Sequence, residues 1–122
     1  LAESGASFIS VPSAFTRKTG EAHWHTLLRA RAIETGCFVF AAAQCGLHEN
    51  KRETFGHSLI VDPWGEVLAE GGVEPGVFLA RIDPSRVETA HKAIPSLQHG
   101  RRFSVADPKA GPDYLHLVRG SV

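Results

Sequence analysis

Two histidines flank a tryptophan at His23-Trp24-His25, a spacing that first suggests a pair of metal ligands. On a helix, however, residues i and i+2 point about 200° apart, so both imidazoles cannot reach one ion unless a turn or strand lies beneath them. The apolar spacing around them predicts a helix, so we expect one histidine to bond locally while Trp24 packs. We predict no metal site here, and nothing in the sequence indicates a cofactor.

Thiol chemistry is suggested by Cys45, which has His48 and Glu49 close by in sequence. A cysteine nucleophile needs a base and an orienting group that converge in space, and three neighbours in one loop do not establish that. Cys37 lies inside an apolar run, where a cysteine is usually inert packing. We therefore expect neither thiol to be a nucleophile.

The run Gly56-His57-Ser58 invites a serine-hydrolase interpretation. A nucleophile elbow needs Gly-x-Ser-x-Gly on a turn from strand to helix, whereas here a strand continues into a hairpin. The elbow is therefore absent. Lys18 and Glu21 flank Thr19-Gly20 in a polar stretch, and we expect this charge pair to be solvated.

The composition argues against two classes of partner. Lys plus Arg equals Asp plus Glu at 13 each, so no overall field would attract phosphate backbones or anionic lipid. The 122 residues contain no run of about 18 apolar residues that could span a bilayer. We expect no nucleic-acid or membrane partner, and two cysteines in such a chain favour a reducing cytoplasm over a disulfide scaffold.

The first residues indicate a fragment. The chain begins at Leu1 rather than at Met, and Leu1–Gly5 is typical of the last turn of a helix, with Gly5 at positive φ. No signal-peptide pattern precedes it. We expect a chain that begins inside a helix of a larger protein.

The order of the apolar patterns predicts a layered α/β fold. Ser7–Val11 is short and β-branched and predicts a strand. A polar loop at 13–21 then precedes a helix from about Ala22 to Thr35, which ends at a glycine. Cys37–Ala43 is apolar at successive positions, as in a strand covered on both faces, and a polar loop is expected at 44–54.

Turn chemistry organises the second half. Asp62-Pro63-Trp64-Gly65 has the preferred residues of a type I turn and predicts a hairpin between Gly56–Val61 and Glu66–Ala69. Val77–Ile82 predicts one more strand. Asp83-Pro84 then predicts the start of a final helix, with Asp83 as its N-cap.

Seven segments, taken together and in order, match one known family. They are Val11–Thr16, Thr19–His25, Leu28–Glu34, Gly56–Val67, Ala80–Asp83, Ile94-Pro95 and Gln98–Arg102. This set resembles the nitrilase superfamily of carbon–nitrogen hydrolases, and it covers the chain from residue 1 to about Phe103. The resemblance implies that residues 1–103 are the C-terminal part of such a domain, with 104–122 as a tail.

The resemblance implies an α/β fold that is part of an αββα sandwich, four-layered when dimerised. It also implies a thiolate that attacks an amide or nitrile carbon, a glutamate base and a lysine that stabilises the oxyanion. In the family these groups and a second glutamate lie upstream of the position that matches Leu1. No residue of this chain is therefore assigned a catalytic role.

Within the superfamily, Ala41–Gly46 with His48, Lys51 and Arg52 is more similar to the amidases that act on deaminated glutathione than to the ω-amidases. The resemblance places Phe15 and Thr19 at the substrate, one as an apolar wall and the other through its hydroxyl. In the alternative, Phe15 fills core and Thr19 shapes a turn. The ω-amidase, formamidase and N-carbamoyl hydrolase branches stay open as alternatives, as does a non-catalytic assembly module.

The resemblance also implies a homodimer through the helix at 22–35, and the apolar residues of the tail at 104–122 lead us to expect that it packs on the partner subunit. That helix carries an apolar stripe, yet Arg29, Arg31 and Glu34 make its second face mixed. An isologous contact would bring each arginine near an acidic residue of the partner. Tyr114–Val118 in the tail would cover the same seam.

Overall fold

A parallel pair of strands connected by a long helix forms the first half of the fold. The computed structural model describes residues 1–103. Strand β1 (Phe8–Ser10) pairs in parallel with β2 (Phe38–Ala41), with Phe8 opposite Phe38. Helix α1 (Arg17–Thr35) makes the crossover that a parallel pair requires, and it stops at the predicted glycine, Gly36, which is left-handed with φ 62°. Gly5 likewise follows a 3₁₀ turn at Ala2–Ser4 with φ 88°.

The prediction that α1 begins near Ala22 was wrong. The helix begins at Arg17, so Thr19 lies in its first turn rather than in a polar loop. Gly20 suggested a loop because glycine disfavours helix interiors. In the structure this glycine is buried, and a Cβ built on it would lie 2.3 Å from Phe55, so its small size allows the close packing of another element.

The hairpin predicted around Asp62–Gly65 is confirmed. Strands β5 (Leu59–Val61) and β6 (Val67–Glu70) are antiparallel and extend the sheet to the order β1-β2-β5-β6. The buried Asp62 side chain holds the turn, because its Oδ1 accepts the backbone N–H of Trp64 at 3.0 Å and of Glu66 at 2.7 Å. The preferred turn residues therefore form the predicted turn.

A second hairpin occupies the stretch that was predicted to be a polar loop. Strands β3 (Cys45–Leu47) and β4 (Glu53–Phe55) pair antiparallel as a separate two-stranded sheet. Each strand has only three residues, which is too short to establish an alternating pattern. The prediction of a loop at 44–54 was wrong for this reason.

The strand predicted at Val77–Ile82 is not formed within the described residues. The segment has no partner strand there, and Val77 and Leu79 are 87% and 86% exposed. The apolar and aromatic residues at the start of this segment favour an extended backbone, but a strand also needs a neighbour to bond. The local sequence pattern does not indicate whether such a neighbouring strand is present.

The predicted final helix is present as α2 (Ser85–Ala93), but it begins one residue later, with Pro84 rather than Asp83 at the N-cap position. The Asp83 carboxylate accepts hydrogen bonds from the Ser85 hydroxyl and the Ser85 backbone N–H, and these bonds lower the pKa of Asp83 below its ordinary value. From α2, Arg86 Nη2 reaches Asp62 Oδ2 at 2.5 Å. The helix is thereby tied to the β5–β6 turn.

The core lies between α1 and one face of the sheet. One stripe of the helix packs on the buried residues of β2 and β5, and the buried cluster consists of Trp24, Leu28, Ala32, Val39, Ala41, Leu59 and Val61. The structure is thus the layered α/β arrangement that was predicted. The predicted tail at 104–122 lies outside the described residues. No helix in residues 1–103 is both long and apolar enough to cross a membrane.

Candidate functional site

The carboxyl ends of β1 and β2 meet at one edge of the sheet because the two strands run parallel. The loops that follow them are bonded together, since the Ser13 N–H donates to Ala42 O and the Gln44 N–H donates to Ser13 O, both at 2.9 Å. In open α/β sheets ligands bind outside the carboxyl ends of the strands. This edge is therefore the candidate site.

The larger hollow at this edge, here called the strand-end cleft, has a volume of about 720 Å³. The loops after β1 and β2 form one wall, and the segment from Gly72 to Phe78 contributes another. Ser58 also lines it, but its Oγ accepts the Ala43 N–H at 3.0 Å and so braces the loop after β2. Most of the other lining residues are small or apolar, so the cleft can enclose a ligand but has few side chains that could bind or react with it.

The Phe15–Thr19 pocket is a second, more open hollow of about 450 Å³ that shares Ala14 with the cleft. The Phe15 ring packs on Trp24 with centroids 5.2 Å apart. Thr19 Oγ1 donates to Thr16 O at 3.1 Å from the first turn of α1 and stays exposed. The structure thus brings both predicted residues to one surface, while each also makes the local contact that the alternative expected.

Two basic side chains, His23 and Arg52, also line the Phe15–Thr19 pocket. Arg52 reaches it from the β3–β4 turn, and its Nη2 donates to the carbonyl of Ala14. In the sequence, Arg52 is notable only as part of the stretch that resembles the family. Because the β3–β4 hairpin was not predicted, nothing in the sequence indicated that this arginine approaches Phe15.

The two histidines of His23-Trp24-His25 point to different places, as helix geometry requires. His25 Nε2 lies 3.0 Å from Glu70 Oε1 on β6, whereas His23 lines the Phe15–Thr19 pocket. Trp24 is buried between them and donates its Nε1–H to His57 O at 2.6 Å. Among residues 1–103, no three His, Cys, Asp or Glu side chains are grouped as metal ligands.

The cysteines occupy separate environments. Cys37 is fully buried, and its thiol donates to Ala6 O with Sγ 3.0 Å from that oxygen, so it is a core residue. Cys45 begins β3 and lines the strand-end cleft. His48 is bonded to the Thr54 hydroxyl at 2.7 Å, and within the described part of the chain no hydrogen bond joins it to Cys45.

His57 and Ser58 do not act together. The His57 ring stacks on Phe55 with centroids 4.1 Å apart, and its Nδ1 lies 2.8 Å from Phe55 O. Glu21, expected beside Lys18 as a solvated pair, instead binds the exposed Arg17, which also binds Glu53. The hydrogen bond that Arg17 donates to the Glu21 carboxylate is the main cause that raises the pKa of Arg17.

Comparison with proteins of known family gives consistent results. The carbon-nitrogen hydrolase family model matches residues 1–92. The Bos taurus protein named deaminated glutathione amidase is 54% identical over 101 residues, which is 83% of this chain and 31% of the relative. The chain thus spans about a third of the length of that relative.

Solved structures show the same fold. The crystal structure of the Caenorhabditis elegans NitFhit protein superposes with a TM-score of 0.78 at 51% identity, covering 82% of this chain and 24% of that one. Saccharomyces cerevisiae Nit3, described as a member of branch 10 of the nitrilase superfamily, superposes with a TM-score of 0.75 at 36% identity over 84% of this chain and 37% of that one. The family model, the identity and the shared fold agree, and this chain belongs to the carbon–nitrogen hydrolase family.

Proposed function

We propose that the complete enzyme is an amidase that hydrolyses a carbon–nitrogen bond of a small carboxylate-bearing substrate such as deaminated glutathione. By complete enzyme we mean this chain joined to the preceding part of a carbon–nitrogen hydrolase domain. The observation that carries the proposal is the 54% identity over 101 residues to a relative of that name. The Phe15–Thr19 pocket, with an apolar ring, a hydroxyl and two basic groups, suits such a substrate.

In this mechanism a thiolate attacks the amide carbon, the amine leaves with a proton from the base, and water releases the acid from the thioester. The family resemblance assigns the thiolate, base and oxyanion lysine to the part that precedes this chain. The 122 residues contribute a wall of the pocket and the scaffold behind it. Cys45 is a wall residue of the strand-end cleft in this proposal, not the nucleophile.

The test is reconstitution. The 122-residue chain alone should hydrolyse no amide, whereas a chimera in which it replaces the matching segment of the bovine relative should hydrolyse deaminated glutathione. The chimera should retain this activity when Cys45 is changed to Ala. Activity of the isolated chain that Cys45→Ala abolishes would refute the proposal, and an inactive but folded chimera would favour a non-catalytic assembly module.

We further propose that the complete enzyme is a cytoplasmic homodimer. Both cysteines are free thiols in the structure, as suits a reducing compartment. On α1, Leu27 and Ile33 are 53% and 49% exposed, and such side chains favour a partner surface. The proposed dimer uses this helix, together with the tail at 104–122.

A further inference from the structure

Arg52 occupies the Phe15–Thr19 pocket from a turn that fixes its backbone. The His48 N–H donates to Arg52 O at 2.9 Å, and the Lys51 N–H donates to His48 O at 2.8 Å. The Asn50 side chain accepts the Arg52 N–H at 3.0 Å. The arginine therefore extends from a braced turn rather than from a free loop.

The Arg52 guanidinium keeps most of its bonding capacity. A guanidinium has five N–H donors, and the bond to Ala14 O uses one nitrogen. Arg17, Arg31 and Arg86 each pair with a carboxylate, whereas no carboxylate of residues 1–103 lies within 4.0 Å of Arg52. A positive group is thus held at a concave surface without a neutralising partner in that part of the chain.

The side chains around the Arg52 guanidinium indicate what kind of ligand would neutralise its charge. Phe15 gives an apolar wall, and the exposed Thr19 hydroxyl, which donates its one hydrogen to Thr16 O, can turn that hydrogen toward a bound carboxylate instead. An aliphatic chain that ends in a carboxylate matches this series of an apolar wall, a hydroxyl and a cation. Arginine is suited to the role because its planar donors bind a carboxylate in a charge-assisted and bidentate manner.

We propose that Arg52 is a specificity-determining residue that binds a carboxylate of the substrate in the Phe15–Thr19 pocket. The proposal rests on the amidase function proposed above. It assigns Arg52 to substrate binding and not to the bond-breaking step. The residue should therefore affect KM for acids far more than kcat.

The experiment compares deaminated glutathione with its dimethyl ester, which keeps the skeleton and removes both charges. In the complete enzyme, Arg52→Gln should raise KM for the acid about tenfold or more, the usual effect of losing a hydrogen bond to a charged group. The value of kcat should change by less than about twofold, and KM for the diester should stay constant. Arg52→Lys should restore part of the affinity because it keeps the charge.

Lys51→Gln is the matched control, since it removes the same charge from the same turn at a residue that does not line the pocket. It should leave both KM values unchanged. An equal increase in KM for acid and diester would show that Arg52 only braces Ala14, and an unchanged acid KM would exclude a role in binding. Either result overturns the inference while the amidase proposal stands.

A complete enzyme that cleaves no amide would instead refute the amidase proposal. Calorimetry with glutarate, a simple dicarboxylate, then decides the inference. Glutarate binding by the wild type that Arg52→Gln weakens about tenfold would support the carboxylate site. Equal binding by both proteins, or none by either, would overturn it.

Discussion

Phe15 and Thr19 each make a local contact and also line a pocket. The Phe15 ring packs on the core residue Trp24 while the residue also lines a pocket, and Thr19 bonds to Thr16 while staying exposed. Substrate contact and local packing were alternatives in the sequence, yet the geometry allows both. Their place in substrate binding stays a prediction.

Thr19→Ala in the complete enzyme should weaken binding of a dicarboxylate-like substrate by about 1–2 kcal/mol, because one hydrogen bond to a charged group is lost. The measured quantity is KM, with kcat nearly unchanged. The free energy of unfolding should change by less than about 0.5 kcal/mol, as is usual for an exposed surface residue.

Two variants control this experiment. Thr19→Ser keeps the hydroxyl and should retain the wild-type KM. Thr26→Ala removes a hydroxyl from an exposed position of the same helix that lies outside the pocket, and it should have no effect on KM. If Thr19→Ala leaves KM for dicarboxylates unchanged, Thr19 is only a helix-terminus residue.

At the scale of elements, the sequence predicts the helices and turns that are determined by residues close together in the chain. Asp62–Gly65 has its turn chemistry in four adjacent residues, and α1 has a regular apolar stripe that ends at Gly36. The start of α1 and the β3–β4 hairpin depend instead on contacts between distant residues, such as Gly20 with Phe55. The approach of Arg52 to Ala14 depends on the same hairpin, which is why this part of the candidate site could not be predicted.

Gly20→Ala should destabilise the fold, because its Cβ would lie 2.3 Å from Phe55 and would force α1 away from β4. Overpacking of this kind typically costs about 1–3 kcal/mol, and the helix preference of alanine over glycine offsets about 1 kcal/mol of that. We expect a net loss of roughly 1–2 kcal/mol in the free energy of unfolding, measured by urea denaturation of the complete enzyme.

Gly72→Ala is the control for this change, since nothing lies within 4 Å of a Cβ built there. It should be nearly neutral. Adding Phe55→Leu to Gly20→Ala should recover part of the lost stability by relieving the overlap. Equal effects of Gly20→Ala and Gly72→Ala would show that close packing of α1 on β4 is not what selects glycine.

Arg86→Gln should loosen the junction between α2 and the β5–β6 turn. Asp62 is fully buried and its Oδ2 faces the Arg86 guanidinium at 2.5 Å, so removing the cation leaves a buried carboxylate oxygen without its partner. An unsatisfied buried group costs about 1–3 kcal/mol. Differential scanning calorimetry of the complete enzyme would measure the decrease in Tm.

Arg31→Gln provides the comparison, because Arg31 and Glu34 form an exposed pair within one helix. Such pairs contribute about 0.3–0.5 kcal/mol. A decrease in Tm as large as that of Arg86→Gln would mean that burial of Asp62 is not the source of the effect.

At the scale of the whole molecule, the order of the elements predicted the fold class and the family resemblance predicted the αββα architecture. In the structure, however, two residues of α1 are already engaged within the subunit and are not free for a dimer contact. Trp24 is 1% exposed and belongs to the core, and Arg31 already pairs with Glu34 of its own helix. Of the α1 residues, the partly exposed Leu27 and Ile33 are therefore the appropriate probes of an interface.

Light scattering on the complete enzyme should give the mass of a dimer, and Ile33→Arg should shift it toward the monomer because an uncompensated charge would enter the interface. Ile33 is the better probe of the two because Leu27 also lines the Phe15–Thr19 pocket. Leu47→Arg is the matched control, since Leu47 is an exposed leucine on β3 rather than on α1. A wild-type protein that is monomeric at all concentrations would refute the homodimer proposal. A dimer that persists in both variants would show that the interface does not include this face of α1.

The open side of β1 has a consequence for handling the isolated chain. Ser7 O and Val11 N bond to β2, so the alternate residues Phe8 and Ser10 direct their backbone groups outward, where residues 1–103 supply no strand. Unpaired edges of this kind template association with other extended chains. Preparations of the chain alone should therefore grow turbid with increasing concentration, and Ser10→Lys should delay the turbidity by placing a charge on that edge.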